Sequence, residues 1–501
     1  MRPLSKSKLM PYRQCPKRVW LEVHHPDLRA DTAASQKNFD TGHQVGEIAQ
    51  QLYDPTGQGT VIEPFAEGID AALSLSMSLL DTPNPIFEAG FAAEGAMAFA
   101  DVMLPVQNPQ SQPLRAWRMV EVKSSTSVKD YHRDDVAIQA FVARAAGVPL
   151  TAIALAHIDN TWTYPGDGDY QGLLVENDLT DEAFARGAEV ERWIEAAQSI
   201  VAQATAPAIT TSKHCHDPYP CGFYAHCQSQ EPQAEHPIAW LPKPLKKGLT
   251  TLIANTGITE LRDVPDHLLS DKQQRVKNAT LAKEAYFDQA SAAQALAAHT
   301  LPAYFLDFET ISFAVPIWPG TRPYQHIPFQ FSVHRQSNTQ LTEQAFIDLS
   351  GNDPSKAFAE ALIAACREPI PIFVYNAGFE MTRIRELAER FPQLSQDLLA
   401  LNARVVDLLP IAREHYYHPS QQGSWSIKAV LPALCPPPEL NYEKLEGVQD
   451  GGMAMDAFAE AIAPYTTTAR KAEIERQLLD YCKLDTYAMV RLWSAFTGRI
   501  L

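Results

Sequence analysis

Apolar and polar positions alternate with a period of two in several short stretches, and longer segments between them follow the helical period. AFADVML at 98–104, WRMVEVKSS at 117–125 and LTAIALAHI at 150–158 predict strands, and DDVAIQAFVARAAG at 134–147 predicts a helix. DEAFARGAEVERWIEAAQSIVAQ at 181–203 predicts one long amphipathic helix. Further strands are expected at 303–308, 328–335 and 342–348. PIFVY then leads into the helix FEMTRIRELAER, and a last helix closes the chain over about 467–497. Alternating strands and helices give an α/β class at both ends of the chain. At roughly 150 residues per domain, 501 residues make about three domains. The expected blocks are 1–230, ending in HCHDPYPCGFYAHC; 231–300, opening on the polar QSQEPQAEHP and then helix-like; and 301–501, opening on AYFLDFET.

Acids interrupt these patterns. In WRMVEVKSS, Met119, Glu121 and Lys123 share one strand face, while Val120 and Val122 share the other. Asp101 stands in AFADVML where an apolar residue is expected, and a buried carboxylate without a partner is costly or takes up a proton. An Asp followed by Glu-x-Lys on the next strand suits metal-assisted phosphodiester hydrolysis. The carboxylates hold a divalent cation and the lysine positions or polarises water. Taken alone, Glu-x-Lys is more often a surface ion pair.

In AYFLDFETI, Phe305, Asp307 and Glu309 share a face, and two carboxylates so placed repel unless a cation lies between them. In the closing helix Leu478, Cys482, Asp485, Met489 and Leu492 form one stripe with an aspartate in its middle, and Tyr481 precedes Asp485 by four residues. Glu380 in VYNAGFE and Asp407 in ARVVDLLPI follow strand-like runs; each alone is also an ordinary capping or surface acid.

Composition then narrows the classes. With 46% hydrophobic and 20% charged residues, collagen-like, coiled-coil and disordered chains are excluded. No apolar run reaches the ~18 residues of a membrane span, and MRPLSKSKLM is not followed by a signal-peptide core, so a cytoplasmic location without a membrane partner is expected. Seven cysteines argue against a disulfide framework. Cys15 stands alone near the start, whereas Cys215, Cys221 and Cys227 cluster with His214, His216 and His226. The net charge of −17 opposes a polyanionic partner. It hides local reversals: six basic and no acidic residues among the first 20, and eight basic against four acidic between 243 and 283.

The segment LSKSKLMPYRQCPKRVWLE, GHQVGE at 42–47, Asp101, Glu121-Val122-Lys123 and Gln139 resemble, in this order, the RecB-like PD-(D/E)xK nucleases, especially the CRISPR-associated iron–sulfur exonucleases and the AddB type. The resemblance implies a restriction-endonuclease-like fold with Asp101, Glu121, Lys123 and Gln139 in its catalytic site. It also implies a [4Fe–4S] cluster on Cys15, Cys215, Cys221 and Cys227, with Zn²⁺ as the alternative. Two departures stand out. The family's early histidine ligand falls on Gly46, leaving His43 and Glu47 as substitutes, and the C-x5-C-x5-C spacing lacks the family's closer first pair.

The last block resembles the DEDD exonuclease superfamily on a ribonuclease H-like fold, of the type with tyrosine in its last motif. Asp307 and Glu309 match D-x-E, and Asn376 to Glu380 match the Asn-containing turn, with Glu for Asp. Tyr481 and Asp485 match Y-x3-D, and Asp407 resembles an accessory acid. The resemblance implies 3′–5′ exonuclease activity with two Mg²⁺ or Mn²⁺ ions roughly 4 Å apart, and Tyr481 orienting the attacking water. The tandem, with IPFQFSVH at 327–334 and GSWSIKAVLPAL at 423–434, also resembles the uncharacterised bacterial family DUF2779. LIANTGITELRDVP in the middle block faintly resembles a helix-hairpin-helix and reads equally well as a helical linker. The expectation is a metal-dependent nuclease with two centres acting on DNA or RNA, single-stranded ends preferred. The alternatives are a nucleic-acid-binding scaffold with one or both sites inactive, and a metal hydrolase acting on a small phosphoester.

Overall fold

The computed structural model describes residues 3–30, 33–106, 116–435 and 442–499. The chain divides into two compact units, Met1–Gln233 with Phe313–Tyr324, and Ala234–Ser312 with Gln325–Leu501. Each is mixed α/β, as the alternating patterns predict.

The first unit runs β1 (Leu4–Ser5), α1 (Lys6–Gln14), α2 (Pro16–His24), α3 (Ala33–Tyr53), β2 (Thr60–Val61), α4 (Pro64–Glu67), α5 (Ile69–Leu79), β3 (Ile86–Ala93), β4 (Ala96–Pro105), β5 (Trp117–Lys123), α6 (Asp130–Ala145), β6 (Leu150–Ile158), β7 (Leu174–Asp178), α7 (Thr180–Ala185), α8 (Gly187–Val201) and α9 (Tyr224–Ser229). Its sheet has the order β2-β3-β4-β5-β6-β7, with β1 joining β4 in parallel. Met119 and Trp117 on one face of β5 enter a core with Val136, Ile138 and Ala140 of α6, while Val102 and Val120 pack on the opposite face. The alternation read from the sequence therefore places Glu121 and Lys123 on the α6 side. The single helix expected over 181–203 is instead two, broken at Arg186, whose guanidinium bonds Asp134 and Glu189. Ala314 and Val315 are buried with Val45, Ile48, Ile158 and Leu173, so a segment read from sequence as part of the last block completes the first unit.

The second unit contains α10 (Lys247–Thr256), α11 (Asp271–Ala282), β8 (Tyr286–Phe287), α12 (Gln289–Leu296), β9 (Ala303–Ser312), β10 (His326–Gln336), β11 (Leu341–Ile347), α13 (Ser355–Ala365), β12 (Ile372–Val374), α14 (Gly378–Arg390), α15 (Ser395–Asn402), β13 (Val405–Asp407), α16 (Leu408–His415), β14 (Tyr416–Tyr417), α17 (Ile427–Leu434), α18 (Gly451–Ile462) and α19 (Thr468–Thr497). Its sheet has the order β11-β10-β9-β12-β13; β9, β10 and β11 are antiparallel, and β12 and β13 run parallel to β9. Tyr304, Leu306 and Phe308 fill the core beneath α13 and α14, which leaves Asp307 and Glu309 on the α19 face.

The middle block forms no unit of its own. β8 pairs with β14, and Gln289 donates to the carbonyl of Ala495. Its basic residues serve this packing: Lys272 and Arg275 hold Glu414, Lys277 holds Asp266, and Lys246 donates to the Leu269 carbonyl. Among the described residues no helix is long and apolar enough to cross a membrane.

Candidate active sites

In the first unit, three adjacent strands place carboxylates in one row. The β3–β4 register, Phe87 opposite Val102 and Ala89 opposite Ala100, puts Glu88 across from Asp101. Glu88 has φ 56, in the left-handed region that non-glycine residues rarely occupy. The β4–β5 ladder ends at Val102 and Val120, and beyond it the Val122 amide donates to Asp101 Oδ2 at 2.6 Å. That brings Glu121 beside Asp101.

α6 supplies Asp135 and Gln139, one helical turn apart on its buried face. Lys123 Nζ lies 2.5 Å from Glu121 Oε1 and 2.6 Å from Asp135 Oδ2. Gln139 Nε2 donates to Glu121 Oε2 at 2.5 Å and to Asp135 Oδ1 at 3.1 Å. Lys6, from the start of α1, also reaches Glu121 and Asp135. Burial disfavours charge on Lys123, but Asp135 and Glu121 outweigh it and hold the amine above the usual lysine range. Burial likewise works against the Asp135 carboxylate, yet Lys123 and Lys6 hold it well below its ordinary value. Asp101 and Glu88 are pushed up, by burial and then by Glu121.

The structure thus brings Asp101, Glu121, Lys123 and Gln139 together. His43 and Glu47 on α3 are exposed; His43 lies near enough to Glu88 to favour its ionised form, against burial and Glu121, which push that carboxyl up. Glu88, Asp135 and Lys6 are additional members. Asp135 stands one turn before Gln139, a helical spacing from which it could have been found; Lys6 is 115 residues from Glu121 and carries no local signal.

Cys15, between α1 and α2, lines one pocket with Cys215, Cys221, Cys227, Lys17 and Arg18. No disulfide joins them. Burial pushes up the Cys221 and Cys227 thiols, against the pull of Arg18 on the first and Lys17 on the second. His214 lines the same pocket and bonds Ser212, whereas His226 bonds Gln230 and His216 packs against Tyr224. The basic N-terminal residues are also engaged internally: Lys8 and Arg18 pair with Glu22, and Arg13 with Asp134. Arg2 lies outside the described residues.

In the second unit, Asp307, Glu309, Glu380, Tyr481 and Asp485 line one pocket. Asp307 and Glu309 come from β9, Glu380 from the first turn of α14, and Tyr481 and Asp485 from the buried stripe of α19. Donor atoms of Asp307, Glu309 and Cys482 lie within 4.8 Å of one another. The Cys482 Sγ is 3.7 Å from the Asp307 carbonyl, in the packing between α19 and β9. Tyr442 donates its hydroxyl to Asp485 Oδ1 at 2.5 Å. Lys428 Nζ donates to Tyr481 Oη at 3.2 Å and to the Gln449 carbonyl at 2.5 Å, and lies over the rings of Tyr442 and Tyr481. Lys428 belongs to GSWSIKAVLPAL, so its motif was visible while its role was not.

Asp407 does not line this pocket. Its oxygens accept the amides of Asn376, Ala377 and Leu409, clamping the turn at Asn376 (φ 76) and capping α16. It positions Glu380 through that turn.

Acids dominate the pocket. Burial, then Asp485, pushes Glu309 up to about 8; burial, then Asp407, pushes Glu380 up to about 8. Asp307 is raised by burial and by Asp485, Glu309 and Glu380 together. Glu380 Oε2 is buried with no hydrogen-bond partner. The four carboxylates supply the oxygen donors that hard divalent cations such as Mg²⁺ or Mn²⁺ take, with the softer Cys482 thiol beside Asp307 and Glu309.

A pH dependence follows. Glu309 and Glu380 bind protons more tightly in the folded protein, at about 8, than at their unfolded value of 4.5. Between those limits the folded state carries more protons, so stability is lost as pH rises. In chelator the melting temperature should fall by at least about 5 °C from pH 5 to pH 8.5, and millimolar Mn²⁺ at pH 8.5 should restore it. Scanning calorimetry giving a flat or rising melting temperature would contradict this electrostatic picture.

Comparison with known proteins adds two matches. A family model described as a domain of unknown function, DUF2779, matches residues 304–426. That stretch carries Asp307, Glu309, Glu380 and Asp407, and ends before Lys428, Tyr481 and Asp485. The uncharacterized protein MG366 homolog of Mycoplasma pneumoniae is 24% identical over 206 residues, covering 38% of this chain and 31% of its own length. The chain therefore spans about a third of the curated relative it matches.

Proposed function

We propose that the protein is a metal-dependent nuclease with two centres, a RecB-like PD-(D/E)xK site in the first unit and a DEDD-type 3′–5′ exonuclease site in the second. The observation that carries this reading is the convergence of Asp307, Glu309, Glu380 and Asp485, from three separate elements, on one pocket that also holds Tyr481. The sheet order, with an antiparallel trio flanked on one side by two parallel strands, supports reading the second unit as ribonuclease H-like.

Divalent cations, when bound, activate water and stabilise the leaving 3′ oxygen. The chain does the rest. In the second site Asp307, Glu309, Glu380 and Asp485 are the ligand set. Lys428 donates to Tyr481 Oη, which fixes the phenol so that its own proton faces Asp485 or an incoming water. Tyr442 orients the Asp485 carboxylate from the other side. In the first site Asp101 and Glu121 are ligands, and Lys123 positions the water that attacks phosphorus.

The four cysteines are proposed to hold a [4Fe–4S] cluster that ties residue 15 to residues 215–227. A tetrahedral zinc site with about 2.3 Å bonds needs sulfurs about 3.8 Å apart. The four thiols line one pocket and no disulfide joins them, so either group finds its donors there and the metal content decides. Lys17 and Arg18 offset its negative charge. Protein purified without oxygen should be brown and contain about four iron atoms per chain, and Cys221→Ser should lose the colour and most of the iron. A colourless protein with one zinc would refute the cluster.

A scaffold role for the first site is the second reading, favoured by one observation: both oxygens of Glu121 and of Asp135 already have partners. End-labelled single-stranded DNA and RNA, incubated with Mn²⁺ and with single-site variants of each centre, decide between the readings. Loss of cleavage in only one variant identifies the working centre.

A further inference from the structure

Lys6 and Lys123 alternate with Glu121 and Asp135 in a closed ring. Lys6 Nζ is 2.9 Å from Glu121 Oε1 and 3.1 Å from Asp135 Oδ1, while Lys123 grips the same Glu121 oxygen and the other oxygen of Asp135. Two ammonium groups and two carboxylates sum to zero. Asp101 and Glu88 stand outside the ring, and among the described residues neither makes a salt bridge. With every acid ionised, the cluster of four acids and two lysines has a residual charge of −2, which one divalent cation balances.

The placement of Lys6 is otherwise unfavourable. It is the first residue of α1, where the helix dipole is positive and an anion, not a cation, is stabilised. Parallel pairing of β1 with β4, Leu4 with Ala96 and Ser5 with Met97, delivers it to the carboxylate row. An ammonium group is a compact point charge with three donors, the side chain best able to take the position of a small cation. A separate observation points to a missing ligand at the same place. Gln139 is 1% exposed, its amide nitrogen is bound to Glu121 and Asp135, and its Oε1 is a buried acceptor without a partner, as an ion-bound water would provide.

We propose that Lys6 is a built-in cation of the first site, so that this site takes one divalent ion, coordinated by Asp101 and its neighbours, where a two-metal phosphodiesterase takes a pair. The inference rests on reading the first site as a metal centre. Removing the Lys6 charge leaves −3 at the cluster and takes one of two donors from Glu121 Oε1, which Lys123 still holds, and one of two from Asp135 Oδ1, which Gln139 still holds. Those are the ingredients of a second ion position. Lys6 thereby limits metal loading and holds Glu121 in place before substrate arrives; it acts through Glu121 and Asp135 as a positioning residue.

Ion stoichiometry tests this on the full chain. Asp307→Asn with Asp485→Asn silences the second unit's pocket, and Mn²⁺ binding is then followed by the paramagnetic resonance of the free ion. One Mn²⁺ per chain is expected in this background, two with Lys6→Met added, and one with Lys6→Arg. Lys6→Gln, which removes the charge and keeps a hydrogen-bonding group, replaces Lys6→Met if that variant does not fold. Two ions before any change at Lys6, or one ion with Lys6→Met and Lys6→Gln alike, overturns the role of Lys6 and leaves the metal centre standing. No ion at all in any variant overturns the metal-centre reading and the proposal with it.

Discussion

Asp307→Asn should abolish 3′–5′ trimming of labelled single strands, by more than the roughly 100-fold that changes in a metal site's outer shell cost, and at the same time make the chelated protein more stable at pH 8. The two effects share one cause. Asp307 is half-buried among Asp485, Glu309 and Glu380, and its carboxyl is raised by burial and by all three, so the resting pocket is a site of mutual repulsion that protons or bound cations relieve. The amide keeps the shape and removes one of the repelling charges. Cleavage ladders and thermal unfolding in chelator, run on the same preparation, check both halves. Undiminished trimming would remove Asp307 from the ligand set, and a lower melting temperature in chelator would show that its carboxylate is structurally satisfied.

Lys123→Ala should have the opposite signature on stability. It should remove cleavage by the first centre and also destabilise the first unit, by about 3 kcal/mol, because Glu121 and Asp135 lose one of the two cations that neutralise them. Lys6 remains as a partner to both, which keeps the cost at the lower end for a broken buried pair. Denaturant unfolding followed by tryptophan fluorescence should show an earlier transition. A variant as stable as the parent would mean that solvent already screens the ring. The two centres, both proposed to hydrolyse phosphodiesters, thus differ at rest: lysines already pair two of the four acids of the first, whereas the carboxylates of the second repel one another.

Much of the second site was legible because its parts obey short-range periodicities. Strand alternation aimed Asp307 and Glu309 to one side, and helical spacing put Asp485 and Tyr481 on neighbouring positions of one buried stripe. Asp407 shows the limit of that reading. An acid after a strand-like run looks the same whether it faces a pocket or caps the helix that follows, and here it accepts three backbone amides. Lys6, Glu88 and Tyr442 were not legible, since each meets its partner through pairing across many residues of sequence. The helix broken at Arg186 was also missed, because the apolar stripe continues through the break while the tether to Asp134 lies outside the pattern.

The placement of Phe313–Tyr324 bears on how such a protein can be dissected and inherited. These residues leave the strand that carries Asp307 and Glu309, bury Ala314 and Val315 among Val45, Ile48, Ile158 and Leu173, and return before β10. Cutting the gene anywhere between 230 and 300 strips the first unit of part of its interior and leaves the other product with an apolar flap in water, a surface prone to aggregation. Silent truncations are therefore not evidence of an inactive half, and point substitutions are the sound way to assign each activity. The same interleaving opposes shuffling: a recombination event that moved either half alone would carry away an incomplete fold, so the two centres travel together.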